Sequence, residues 1–366
     1  MNENESPRGR LVLGKAFLSD LVEETNELVE HIEHCLVCRS CESSCPSGVQ
    51  FGAFMDGLRS HLPQKEDQHD LVNILTDQQQ RRSLNKKLWL SQKSGLLSIG
   101  KTILDNNNKR ILKSLPEIKR FKELDSHYPA QGAEKITVML FTGCNSELLG
   151  NSLVLTAIEL LTKLGVSVHI PSEQQCCGGL PRHRGDAVQA NNLEEKNLSA
   201  FTHAENIPIL TLASGCGASL LDYNGEGAES FTSRISDINY FLVHHLQSIK
   251  DTLKPLDKKV ILHTPCSMRN VLRQDKAVAE SLALIPALEV THLTSQRGCC
   301  GAAGSYMYEQ PDYADALREP ILDELATQQA DILVTTNIGC AMHIQAGNAK
   351  IEVLHPIELL LLAVNH

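Results

Sequence analysis

No stretch of this chain approaches the roughly 20 consecutive apolar residues that a membrane-crossing helix needs. The longest apolar run near an end, Leu359 to Val364, is far shorter. Nor does an apolar segment follow the polar and charged residues Met1 to Arg10, so no secretory leader is visible. Basic residues are outnumbered, 34 against 44 acidic, for a formal net charge of -10. Phosphate contacts need clustered Lys and Arg, which argues against nucleic acid as a partner. A G-x-G-x-x-G string, the turn that seats a dinucleotide on a helix N-terminus, is also missing. These absences leave a cytoplasmic protein whose 42% apolar and 21% charged residues suffice to bury a core. Its 366 residues have room for two or three domains.

What the chain does have is cysteine, 12 residues of it. In a reducing compartment these are metal-binding or catalytic sooner than disulfide-paired. Four fall in the run Cys35-Leu-Val-Cys38-Arg-Ser-Cys41-Glu-Ser-Ser-Cys45-Pro46, the C-x2-C-x2-C-x3-C-P spacing that wraps an iron–sulfur cluster. Three thiolates from one tight loop can each reach a different iron of a [4Fe-4S] centre. Structural zinc instead pairs two ligand pairs across a longer gap. In two-cluster ferredoxins the fourth Cys of such a run serves the other cluster, yet the motif occurs once here. Either Cys45 closes the same cluster, or another segment or a partner completes the set.

Apolar spacing predicts helices from Arg10 to about His34, the second capped by Asp20, and another over Phe51 to His61. The expected first domain, 1–62, is therefore a helical ferredoxin-like unit. A connector, 63–134, reads as two or three helices, with twelve basic residues against Asp105 and Glu117 between Arg81 and Lys122. That charge suits either a helical face packed on the rest of the protein or contact with an anionic membrane surface. Gly95-Leu-Leu-Ser-Ile-Gly100-Lys101-Thr102 matches G-x-x-x-x-G-K-[ST] by letter, but helical spacing precedes it where a phosphate loop needs a strand.

From Lys135 strands and helices alternate, which predicts an α/β fold with parallel sheets. Strands are expected at Ile136 to Phe141, Val166 to Ile170 and Ile209 to Ala213, helices at Ser146 to Leu164, Asp186 to Ala204 and Phe231 to Gln247. The pattern then restarts. Cys144 and Cys266 lie 122 residues apart, Cys176-Cys177 and Cys299-Cys300 123 apart, and Cys216 and Cys340 124 apart. So steady an offset marks a duplication, with repeats at 135–250 and 251–366. Each repeat brings four thiols to the carboxyl ends of its strands, where open α/β sheets build their sites. Those thiols suit a cluster in one or both repeats, a docking or electron-acceptor surface, or buried structural cysteine. Of the histidines only His343 stands at a suggestive place, three residues after Cys340 as Ser219 stands after Cys216.

The run Cys35 to Gly52 followed by two Cys…Cys-Cys-Gly…Gly-Cys repeats resembles the glycolate oxidase iron–sulfur subunit family. Wider relatives include the corresponding subunits of anaerobic glycerol-3-phosphate dehydrogenase and heterodisulfide reductase, and the lactate-utilisation proteins. The resemblance implies an electron-transfer subunit that takes electrons from a separate FAD-containing 2-hydroxy-acid oxidase subunit towards a respiratory acceptor. A quinone, or contact with the cytoplasmic face of the inner membrane, is the implied destination. It also implies that Cys35, Cys38 and Cys41 ligate one [4Fe-4S] cluster and that Cys45 serves another. Members carry a first such motif ahead of a segment like Ser6 to Arg10, and this sequence shows none there. The broader repeat often ends C-x2-C, where this chain has Ser219 and His343.

Overall fold

The computed structural model of the chain describes residues 2–63, 69–97, 106–202, 206–245, 249–294, 299–347 and 351–365, without the side chains at 69–71 and 106–109. Ser6 opens the first helix, Pro7–Leu18, by accepting the Gly9 amide at 2.9 Å. The second, Asn26–Glu33, is capped by Thr25, whose hydroxyl accepts the Leu28 amide at 3.2 Å. Asp20, the expected cap, sits instead in the left-handed region at φ 54° in the turn between the two. Helices Ser40–Ser43 and Phe51–Arg59 frame the cysteine loop, and Leu28, Ile32, Phe51, Met55 and Leu58 close a small core beneath it.

Three helices, His69–Thr76, Gln78–Lys93 and Asn106–Ser114, follow among the described residues. Gly95 comes after a helix and not a strand, while residues 98–102 of the G-x-x-x-x-G-K-[ST] string lie outside the described residues. Part of the connector's basic charge is paired with the repeats, while Lys86, Lys87, Lys93, Lys113, Lys119, Arg120 and Lys122 are exposed. Arg81 and Arg82 pair with Glu147 of the first repeat, and Arg110 pairs with Asp315 of the second.

Nine strands among the described residues form two sheets. The first contains β1 (His127–Tyr128), β2 (Ile136–Phe141), β3 (Val166–His169), β4 (Ile209–Thr211) and β5 (Ile235–Asp237) in the order β1-β3-β2-β4-β5. All pair in parallel except the antiparallel edge strand β1. The second contains β6 (Lys258–His263), β7 (Leu288–His292), β8 (Ile332–Thr335) and β9 (Glu352–Leu354) in the order β7-β6-β8-β9, all parallel.

Two expected helices are interrupted. The one read over Ser146 to Leu164 is two, Gly143–Leu149 and Ser152–Lys163, broken where Gly150 and Asn151 take φ 94° and 48°. A Cβ at Gly150 would stand 2.0 Å from the Lys119 carbonyl oxygen, so the connector's close approach requires glycine there. The helix read over Phe231 to Gln247 contains β5, which separates Ala228–Thr232 from Ile238–His245.

The repeats share one core. Val138, Leu140, Leu160 and Leu210 of the first pack in one cluster with Val260, Leu262, Ile357 and Leu360 of the second. Helix Ser152–Lys163 of the first repeat lies on Pro356–Asn365 of the second, while Asp275–Ala283 of the second lies on Ile238–His245 of the first. That reciprocal arrangement, each repeat's early helix on the other's last, is how a two-fold axis pairs copies. Among the described residues, no helix is long and apolar enough to cross a membrane.

Candidate functional site

The cysteine loop departs from ordinary backbone conformation. Val37 and Arg39, neither of them glycine, take φ 48° and 57°, at a cost of about 1–3 kcal/mol each that neighbours must offset. Three side chains hold it. Arg59 donates to the Cys35 carbonyl at 2.6 Å and to the His183 carbonyl of the first repeat at 2.8 Å. The Arg39 guanidinium spans Glu42 at 2.7 Å and Asp222 of the first repeat at 2.7 Å. Asn270 of the second repeat donates to the Cys38 carbonyl at 2.8 Å. The loop is thus moored to both repeats.

Cys35, Cys38 and Cys41 share one space. Burial pushes the Cys38 thiol up, and the neighbouring Cys266 and Cys35 add to the shift. Cys41 goes up for the same first reason, helped by Cys38 and Cys35. Cys266 belongs to the second repeat, so the N-terminal trio adjoins that repeat's thiols. Cys45 is placed differently: amides of Val49, Ser47 and Gly48 donate to its sulfur and lower its pKa.

In each repeat all four thiols converge at the carboxyl ends of the strands. In the first, Cys144, Cys176, Cys177 and Cys216 lie close enough to perturb one another's thiols. Cys177 is held well below its ordinary range because Cys176, then Cys216, stabilise its thiolate, with the Gly179 amide also donating to its sulfur. In the second, Cys266 and Cys299 lie 3.9 Å apart and Cys300 and Cys340 2.9 Å apart, sulfur to sulfur. Its four thiols are all shifted up; Cys266 is pushed well up, first by its bond to Cys299 and then by burial. A polar bridge joins the two sites, with Ser267 donating to Ser214 at 2.8 Å beside Cys266 and Cys216.

The family model described as "Cysteine-rich domain" matches this chain twice, at residues 138–221 and 260–345. The two matches coincide with the two thiol-bearing repeats. It is 27% identical to the probable glycolate oxidase iron–sulfur subunit of Bacillus subtilis (strain 168), over 100% of this chain and 89% of that protein. Identity is 28% with the glycolate oxidase iron–sulfur subunit of Escherichia coli (strain K12), over 98% and 88%. Lactate utilization protein A of Anoxybacillus flavithermus is 28% identical over 62% of this chain and 99% of its own length.

The two thiol sites differ in the side chains beside their cysteines. His343 does not face the thiols: its Nε2 is 3.1 Å from the Ala314 carbonyl, and burial holds its pKa down to about 4. Ser219, at the matching place in the first domain, does face Cys177. His263, to which sequence reading gave no role, is buried beside Cys300 and Cys340, the three ligand atoms lying within 4.8 Å of one another. Setting the repeats in register would have exposed it, since His263 stands three residues before Cys266 where the first repeat has Phe141 three before Cys144.

The donor sets suit a soft or borderline metal. Sulfur-rich, largely buried groups select iron–sulfur centres or zinc over the oxygen-seeking magnesium and calcium. Cys35, Cys38 and Cys41, with Cys266 adjoining, are the residues that would hold an N-terminal cluster. Metal must displace the protons that burial keeps on Cys38 and Cys41, so occupancy should weaken as pH falls.

Proposed function

We propose that this chain is the iron–sulfur, electron-carrying subunit of an oxidoreductase whose flavoprotein partner oxidises a 2-hydroxy acid such as glycolate. The observation that carries the reading is the adjacency of the N-terminal thiol trio to Cys266, which makes one continuous thiol region of the cysteine loop and the second domain. The full-length similarity to glycolate oxidase iron–sulfur subunits supports it. A [4Fe-4S] cluster held by Cys35, Cys38 and Cys41 would supply one-electron acceptance and release. The protein's part is to fix that loop through Arg39, Arg59 and Asn270. Oxidising a 2-hydroxy acid needs a hydride acceptor such as FAD, which this reading assigns to the partner. A quinone at a membrane surface is the proposed destination.

The test is iron and acid-labile sulfide in strictly anaerobic preparations of the full chain and of Cys38→Ser. About four of each per N-terminal site are expected, lost in the variant together with its reduced-state paramagnetic signal. Wild-type chain with near-zero iron refutes the reading. So does reduction by glycolate in the absence of any flavoprotein.

A second reading, thiol catalysis on a disulfide or quinone at the Cys-Cys-Gly edges, is favoured by the lowered Cys177 thiol. Cys177 is only 8% exposed, however, which suits a ligand better than a nucleophile that must meet a bulky substrate. Cys177→Ser together with Cys300→Ser separates the two: turnover lost with all metal retained supports catalysis.

A further inference from the structure

The two thiol sites are built on the same plan but are not chemically equal. Phe141 and His263 occupy matching places, the last residues of β2 and β6, three before Cys144 and Cys266. Phe141 continues an apolar cluster, its ring centroid 6.2 Å from that of Phe201. The imidazole of His263 instead stands among sulfurs. Its Nδ1 lies 2.9 Å from Thr335 Oγ1, the residue directly opposite on β8. With Nδ1 donating to that hydroxyl, Nε2 keeps its lone pair for the thiol side. A ligating histidine is oriented in just this manner, its second nitrogen held by a neighbouring oxygen. Among the described residues, no other set of three His, Cys, Asp or Glu side chains brings its ligand atoms within 4.8 Å of one another.

The geometry points to a mixed imidazole–thiolate site in the second cysteine-rich domain, where His263 Nε2, Cys300 Sγ and Cys340 Sγ bind one borderline transition-metal ion while the first domain's site stays all sulfur. The ion is either iron within a cluster or a lone zinc, since both accept this donor set. Cys299, next to Cys300 in sequence and interacting with its thiol, is available as the further sulfur. The consequence is electrostatic. A neutral imidazole in place of a thiolate removes one negative charge, and the same replacement raises the potential of iron–sulfur centres. This inference rests on the reading that the thiol sites hold metal, but not on which flavoprotein reduces the chain.

The test uses the full chain, purified anaerobically with Cys38→Ser and Cys177→Ser to empty the other sites. Metal analysis names the ion. X-ray absorption at that ion's edge then reads its first shell, with nitrogen hyperfine coupling in the reduced state as a second readout if the ion is iron. Sulfur plus one imidazole nitrogen is expected. His263→Phe, which copies the first domain, should lose the nitrogen and most of the metal. Thr335→Val keeps the strand and removes only the orienting hydroxyl, so it should fold and bind about 10–100-fold more weakly. An all-sulfur shell overturns the inference, as does full metal with an unchanged spectrum in His263→Phe. So does a metal-free pocket with Cys300 and Cys340 oxidised to a disulfide. These outcomes are distinct from loss of N-terminal iron in Cys38→Ser alone, which tests the electron-carrier reading.

Discussion

Replacing Glu147 by alanine should break a buried ion pair between the connector and the first repeat. The Glu147 side chain is 9% exposed and accepts four hydrogen-bonding groups from the connector. Arg81 reaches it through Nε at 2.8 Å and Nη2 at 2.7 Å, Arg82 through Nε at 2.9 Å, and Gln78 through Nε2 at 2.8 Å. Arg82 is partly exposed and can recover its partner from water. Arg81, 3% exposed at the side chain, cannot. Removing one partner of a buried pair costs roughly 3–5 kcal/mol. Because Arg81 keeps the Leu75 carbonyl at 2.8 Å, the lower end applies, about 3 kcal/mol. With unfolding entropy of about 2.1 cal/mol/K per residue, a chain of 366 residues melting as one unit should lose about 4 °C. Glu147→Gln, which keeps acceptors but not the charge, should lose less. Arg81→Met with Glu147→Leu, which removes both charges, should recover most of the loss. Thermal melts of the anaerobic protein by circular dichroism decide it. An alanine variant within 1 °C of wild type, by about the same conversion, or a double variant no better than the single, refutes the reasoning. Glu147 and Cys144 share the helix Gly143–Leu149, so the same variant should also loosen metal at the first domain.

Two further outcomes follow from buried groups. Arg59→Lys cannot serve the Cys35 and His183 carbonyls together as the guanidinium fork does; N-terminal iron should fall with the first domain's metal unchanged, and equal loss at both would show a merely global effect. His355 and His343 are held down by burial to about 3 and about 4. The unfolded chain therefore takes up protons that the folded one refuses below pH 6.5. Stability should be intact above that pH and fall through the window down to about 4 for His343 and about 3 for His355, by about 2 kcal/mol per histidine at pH 5. Asp237, raised by burial to about 6, acts in the opposite sense and returns roughly 1 kcal/mol. Urea midpoints at pH 7 and 5 check the sum; a His355→Gln variant with the full wild-type loss would exclude that residue.

Spacing made the thiols legible. The steady offset between the repeats and the short apolar runs of β2, β6 and β8 carry their information locally, and the helical spacing of Leu28 and Ile32 likewise marked the helix ahead of the loop. Where the reading missed, a distant segment had decided the matter. The break at Gly150 exists because the Lys119 carbonyl presses on it. β5 is three residues ending in a buried aspartate, with no apolar alternation to announce it. Thr25 prevailed over Asp20 as a cap because the turn placed Asp20 in a left-handed conformation. His263 acquires its neighbours from the β6 to β8 register and from Cys300, relations that spacing along one strand cannot convey.

The exchange of helices between the repeats bears on how such a molecule can change. Neither repeat closes its apolar face alone, so the pair is a homodimer whose two subunits have been written into one polypeptide. In a true homodimer every substitution appears twice, and a residue suited to one centre is imposed on the other. Here the matching places hold two different residues, Phe141 and His263. Fusion is therefore what allows one strand end to stay apolar while its twin presents a nitrogen, and so lets two inherited pockets take different work.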